Sequence, residues 1–181
     1  MPQRSPRLSL RLRPLACDFK DVVDMAGIGT CLWFDGQAEE AANFYVGLFP
    51  NSRILETARW GGEGPGEPGS VLTIAFELDG RSFRGLNGGP EFTFSEAISF
   101  ELFFDSQAEL DEKWNALTAD GGEESRCGWL KDRFGVSWQL VPNMLTSVLN
   151  GPDPEGAARA MQAMLGMQKL DIAALQAAYD G

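Results

Sequence analysis

Hydrophobic positions become periodic from Ile28 onward. Residues 29–35 (Gly-Thr-Cys-Leu-Trp-Phe-Asp) read as a strand that ends in a turn at Gly36. Over 38–49, Ala41, Phe44, Tyr45, Leu48 and Phe49 recur at i, i+3, i+4, i+7 and i+8, the apolar stripe of an amphipathic helix, which Pro50-Asn51 stops. An extended stretch at 53–60 and a glycine- and proline-rich loop at 61–69 follow. Residues 71–78 then alternate, with Leu72, Ile74, Phe76 and Leu78 on one face and Val71, Thr73, Ala75 and Glu77 on the other. Asp79-Gly80 makes a hairpin turn into a strand at 82–87.

The same order then recurs. Phe34-Asp35-Gly36-Gln37-Ala38-Glu39 is echoed 70 residues later by Phe104-Asp105-Ser106-Gln107-Ala108-Glu109, identical at five of six positions. The offset sets strand 29–34 against 99–104 and Phe44 against Trp114, in a second helix expected to bury Leu110, Trp114 and Leu117. Strands at 124–127, 129–133 and 136–141, with a turn at Asp132-Arg133-Phe134-Gly135, complete a second βαβββ pattern, so the chain reads as an internal duplication. Beyond it, Asp153-Pro154-Glu155 opens a helix with Ala158, Met161, Met164 and Leu165 on its apolar face, and Asp171 caps a last helix holding Ile172, Leu175 and Tyr179. The expected organisation is a disordered tail at 1–26, βαβββ modules at 27–95 and 96–142, and C-terminal helices at 143–181. The methionine stripe is expected to cover a core or a subunit interface.

Composition narrows the chemistry. Among 181 residues, 15 Lys+Arg stand against 26 Asp+Glu, a net charge of −11, and there is no histidine. His-ligated zinc, His-dependent nucleophiles and His general bases are therefore excluded for this chain alone. The acidic balance argues against nucleic acid and anionic membrane surfaces, since both need clustered Lys/Arg. The first 24 residues are the exception, with five basic and three acidic side chains but no apolar stretch of signal-peptide length. Met25 stands immediately before the first regular pattern, so an upstream start is expected to account for that tail. Three widely spaced cysteines (Cys17, Cys31, Cys127) without a CxxC pair fit a reducing, cytoplasmic setting.

Two βαβββ units, each opened by a strand ending in Phe-Asp, resemble the vicinal oxygen chelate superfamily of glyoxalases, extradiol dioxygenases and bleomycin-resistance proteins. Cys31-Leu-Trp-Phe-Asp-Gly36, Phe49-Pro-Asn-Ser52, Leu86-Asn-Gly-Gly-Pro90, Phe92-Thr-Phe94 with Ala97-Ile-Ser-Phe100, and Cys127-Gly-Trp-Leu-Lys-Asp-Arg-Phe-Gly135 resemble its PhnB-like branch, often labelled demethylubiquinone methyltransferase-like. The resemblance covers about residues 27 to 181. It implies an α+β fold of tandem βαβββ modules in a curved mixed sheet around a cleft, helices on the convex side, and a homodimer. It also implies a metal site on the first and last strands of each module, which the repeat carries onto Gly29, Arg84, Ser99 and Gln139. That set suits no divalent metal, so no metal and no cofactor are expected.

By the same mapping Ile98, Phe100, Leu102 and Phe104 are expected to face the helices, leaving Ser99, Glu101 and Phe103 for the cleft beside Cys31 and Trp33. Asn87 replaces Arg84 there if the fourth strand is bulged. Many relatives have histidine where this chain has Glu91. Glu101 and Arg84 are the candidate general base and carboxylate or oxyanion clamp, or else an ion pair that fills a cleft without metal. Trp33, Phe103, Trp129 and Trp138 offer an aromatic wall for a flat ligand, or core. Cys31 and Cys127 lack a histidine to activate them and are expected to be structural. Neither glycine-rich loop matches a nucleotide-binding pattern. The expected partner is a small, aromatic or carboxylated metabolite, bound or turned over without metal.

Overall fold

The computed structural model describes residues 28–62 and 64–181, so the tail expected at 1–26 lies outside the described residues. Strand β1 (Thr30–Phe34) leads into helix α1 (Ala38–Leu48), followed by β2 (Arg53–Arg59), β3 (Val71–Leu78) and β4 (Arg81–Asn87). The second unit runs β5 (Phe100–Phe104), α2 (Gln107–Thr118), β6 (Glu123–Glu124), β7 (Trp129–Lys131) and β8 (Ser137–Pro142). Helices α3 (Leu145–Leu149), α4 (Pro154–Leu165) and α5 (Ile172–Asp180) close the chain. The protein is α+β, with two mixed four-stranded sheets in the orders β1-β4-β3-β2 and β5-β8-β7-β6. In each sheet the first strand lies parallel to the last, while the remaining pairs are antiparallel.

Alternation and helical periodicity account for the packing. Leu32, Phe34, Ile74, Phe76 and Phe83 bury one face of the first sheet beneath Ala41 and Tyr45 of α1, and Leu110, Trp114 and Leu117 of α2 cover Leu130, Trp138 and Leu140 of the second. One hydrophobic cluster contains both sets. The Phe83 and Phe100 rings, 5.4 Å apart, and Phe49 stacked on Trp138 at 5.4 Å join the two units directly. Helices α4 and α5 start as the sequence predicts, at Asp153 and Asp171, and α2 is capped by Ser106; each of the three side chains accepts a backbone N–H bond.

The first helix is capped from a distance. Gln37 makes no side-chain cap, and the Ala38 amide instead donates to Asn87 Oδ1 at 2.9 Å, while Asn87 Nδ2 donates to the Val71 carbonyl at 3.0 Å. Asn87→Ala is expected to cost about 1–2 kcal/mol, by losing that cap and leaving a half-buried carbonyl unmatched. Thermal unfolding measures this, and an unchanged midpoint would count against the assignment.

Three details depart from expectation. Ile98 is 76% exposed rather than turned toward the helices, because β5 begins only at Phe100. Strand β6 is two residues long and ends before Cys127, since Cys127 and Gly128 take φ values of 57° and 83° and donate their amides to Met167 and Gln168. Helix α3 has five residues, too few to show helical periodicity. Among the described residues, no helix is long and apolar enough to cross a membrane.

Candidate functional site

Directly paired strand residues project from the same sheet face, so the register assigns each candidate to a side. Cys31 lies opposite Arg84, which lies opposite Ala75, with Glu56 beyond. Glu101 lies opposite Gln139, which lies opposite Trp129. These two rows are equivalent in the two sheets and point away from the helix-covered core. Arg84 pairs in regular register, so no bulge brings Asn87 round in its place. Asn87 pairs with buried Phe34, and its side chain is committed to α1 and β3.

The open faces differ in how far their side chains are engaged. Gln139 Nε2 donates to Ser99 Oγ at 2.8 Å, which ties the end of the β4–β5 connection to β8. Trp129 is half-buried beside Gln139, whereas Glu101 and Cys31 are exposed and Phe103 is 59% exposed. Glu101 forms no ion pair with Arg84. Trp33 is held in place: its Nε1 donates to the Gly89 carbonyl at 2.8 Å and its ring meets Phe92 edge-on at 5.0 Å. Glu91 is exposed beside Phe92. Trp138 belongs to the core and not to the open face, at 3% exposure.

Both glycine-rich strings have a packing role. A Cβ built at Gly88 would stand 2.2 Å from the Trp33 ring, and at Gly64 and Gly66 it would stand 2.3 and 2.1 Å from Trp60. The glycines make room for the indoles of their own unit. No helix follows either string, so neither places backbone amides to cradle a nucleotide cofactor such as a methyl donor would need. The four positions onto which the family resemblance carries a metal site fit one no better. Gly29 has no side chain, Arg84 is a cation, and Ser99 and Gln139 are neutral and already bonded to each other. Among the described residues no three His, Cys, Asp or Glu side chains gather in a metal-binding group.

One residue with a large role carries no local signal of it. Asp132 begins the four-residue turn Asp132–Gly135 between β7 and β8, in which Gly135 takes φ 84°. Its carboxylate is buried and accepts four hydrogen bonds: Oδ2 from Tyr45 Oη at 2.7 Å and Trp138 Nε1 at 2.8 Å, Oδ1 from the Phe134 and Val136 amides at 2.9 and 3.0 Å. Burial pushes the Asp132 carboxyl above its ordinary pKa against the pull of those donors, and pushes the Tyr45 hydroxyl up as well. Tyr45 comes from α1, so this carboxylate joins the two units. It is scaffold beneath the site rather than part of it.

Two βαβββ units with equivalent open faces define a glyoxalase-like protein. Residues 26–141 match the family model for 3-demethylubiquinone-9 3-methyltransferase, and the chain belongs to that family, the PhnB-like branch of the glyoxalase and bleomycin-resistance superfamily. A solved Bacillus cereus structure described as "Putative 3-demethylubiquinone-9 3-methyltransferase, PhnB protein" is 36% identical, with a TM-score of 0.59 over 64% of this chain and 98% of that one. Protein PA1353 from Pseudomonas aeruginosa, 21% identical, shares the fold with a TM-score of 0.53 over 64% of this chain and 98% of its own. No curated protein matches the chain.

Proposed function

We propose that the protein binds a small, aromatic or carboxylated metabolite on the open sheet faces without a metal, as a binding or sequestering protein of the cytoplasm. The observation that carries this is the 2.8 Å bond from Gln139 Nε2 to Ser99 Oγ. Two would-be ligand side chains are held to each other, and the remaining two positions bring no side-chain lone pair. Around them stand Glu101 as an exposed carboxylate, Arg84 as a cation, and Trp33, Trp129 and Phe103 as aromatic surface. Together these recognise a flat polar molecule by stacking and charge. Exposed Phe103 supports closure of the face by a second copy of the chain, hence a homodimer built from modules 27–95 and 96–142.

The second reading is a metal-independent enzyme with Glu101 as general base and Arg84 as clamp. It is favoured by one point: Glu101 is solvent-open and free of ion pairs with the described residues, as a base that must reach a substrate proton would be. Methyl transfer rests on the family's description alone.

Elemental analysis of untagged protein is expected to find no stoichiometric divalent metal, and mass spectrometry of the same sample identifies a co-purifying molecule. A stoichiometric metal overturns the metal-free site. Glu101→Gln, assayed against that molecule, separates the two readings. Lost turnover with retained binding makes the protein an enzyme, whereas absence of turnover in both forms, with binding in the wild type, supports sequestration.

A further inference from the structure

The open faces hold Cys31, Arg84 and Glu101, and a cavity of about 350 Å³ lies beyond these three side chains. It sits where the seam between the two units meets the β3–β4 turn. Phe83 and Phe100, ring centroids 5.4 Å apart and edge to face, form its floor with Thr30, and exposed Arg81, Ser82 and Ile28 form its rim. Thr30 and Phe83 pair on the core side, whereas Gly29 and Ser82, which also line the cavity, have the parity of Cys31 and Arg84, so the cavity lies at the end of the first sheet. The next pair along, Cys31 with Arg84, points to the opposite face. Cys31, Arg84 and Glu101 do not line it.

Arg81 is the chemically informative member. In a chain with 26 acidic and 15 basic side chains, it makes no ion pair or side-chain hydrogen bond with any described residue. Its backbone is fixed by the tight Asp79-Gly80 turn, with φ values of 45° and 75°, so the guanidinium starts from a defined base at the cavity mouth. A planar fork of N–H donors above an aromatic floor matches a carboxylate carried on a flat ring: oxygens pair with the fork while the ring joins the edge-to-face set. A single cation, with no helix N-terminus beside it, matches a monoanion better than a phosphate ester. The volume falls within the range of small-molecule sites.

We propose that this seam cavity is a second binding site, distinct from the open faces, for a small aromatic monocarboxylate held by Arg81 over Phe83 and Phe100. The probe is benzoate, with benzamide as its neutral counterpart, titrated into the full chain while amide NMR shifts are followed. Benzoate is expected to saturate shifts at Thr30, Arg81, Phe83 and Phe100 and to bind about tenfold more tightly than benzamide. Arg81→Ala, at an exposed turn, is expected to weaken benzoate about tenfold and leave benzamide unchanged, with Arg81→Lys intermediate. Equal benzoate affinity in wild type and Arg81→Ala overturns the proposal, as does absence of saturable binding. Shifts confined to Cys31, Glu101 and Trp129 also overturn it and assign aromatic carboxylates to the open faces instead.

Discussion

Asp132→Ala is expected to lower the stability of the chain by about 4 kcal/mol and its unfolding midpoint by about 10 °C. The carboxylate is 2% exposed, and all four of its hydrogen bonds are accepted from protein donors. Truncation leaves the Tyr45 hydroxyl, the Trp138 indole N–H and two turn amides facing a void that an alanine methyl cannot satisfy. Each unmatched buried donor costs about 1–3 kcal/mol before the surroundings relax. Asp132→Asn is expected to cost about half as much, because the Tyr45 hydroxyl can turn to accept from the new amide while one N–H pair stays opposed. Tyr45→Phe, which removes a single donor, is expected to cost about 1 kcal/mol. Since burial raises the folded carboxyl's pKa, its ionisation opposes folding as pH rises, and acid does not release this contact as it releases a depressed carboxylate. Thermal unfolding of the three variants provides the measurement, and a midpoint for Asp132→Ala within about 2 °C of wild type rules the network out as a stabilising element.

Gly88→Ala is expected to cost about 2–3 kcal/mol and to move Trp33 into water. The added methyl would stand 2.2 Å from the indole, well inside contact distance, and Gly88 itself is fixed by its amide bond to the Phe34 carbonyl at 3.0 Å. The ring must rotate away, losing its 2.8 Å bond to the Gly89 carbonyl and its edge contact with Phe92. A red shift in tryptophan emission, absent from the same substitution made in Trp33→Phe, reports the movement. Unchanged emission together with an unchanged midpoint would remove the steric account of this glycine.

Elements whose period is local were legible in the sequence. The stripe through Leu110, Trp114 and Leu117 lies buried in α2, and alternation along 71–78 placed Ile74 and Phe76 in the core. The alignment of Arg84 with Gln139 coincides with the register, since each faces its sheet's first strand at an equivalent step. What escaped was non-local. Asn87 looked like a cleft residue because its helix partner, Ala38, is 49 positions away. Asp132 looked like an ordinary turn residue because two of its donors come from other strands and helices. Ile98 looked like core because an apolar residue two positions before a strand carries the parity of the strand's first residue, whether or not the strand has begun. The cavity at Arg81 had no sequence signature, since it exists only where two units meet.

Parallel closure of each sheet has a consequence for how the chain reaches this structure. Cys31 cannot find Arg84, nor Glu101 find Gln139, until the intervening helix and hairpin are in place to bring the last strand back beside the first. The β2–β3–β4 meander needs only short-range pairing and can form early, whereas β1 and β5 must wait for long loops to close. During synthesis the first strand therefore emerges well before its partner, and its Cys31-Leu-Trp-Phe34 stretch stays open to wrong pairing for longer than any other β-segment of its unit. Refolding yield should accordingly depend on protein concentration more steeply than native-state stability would suggest.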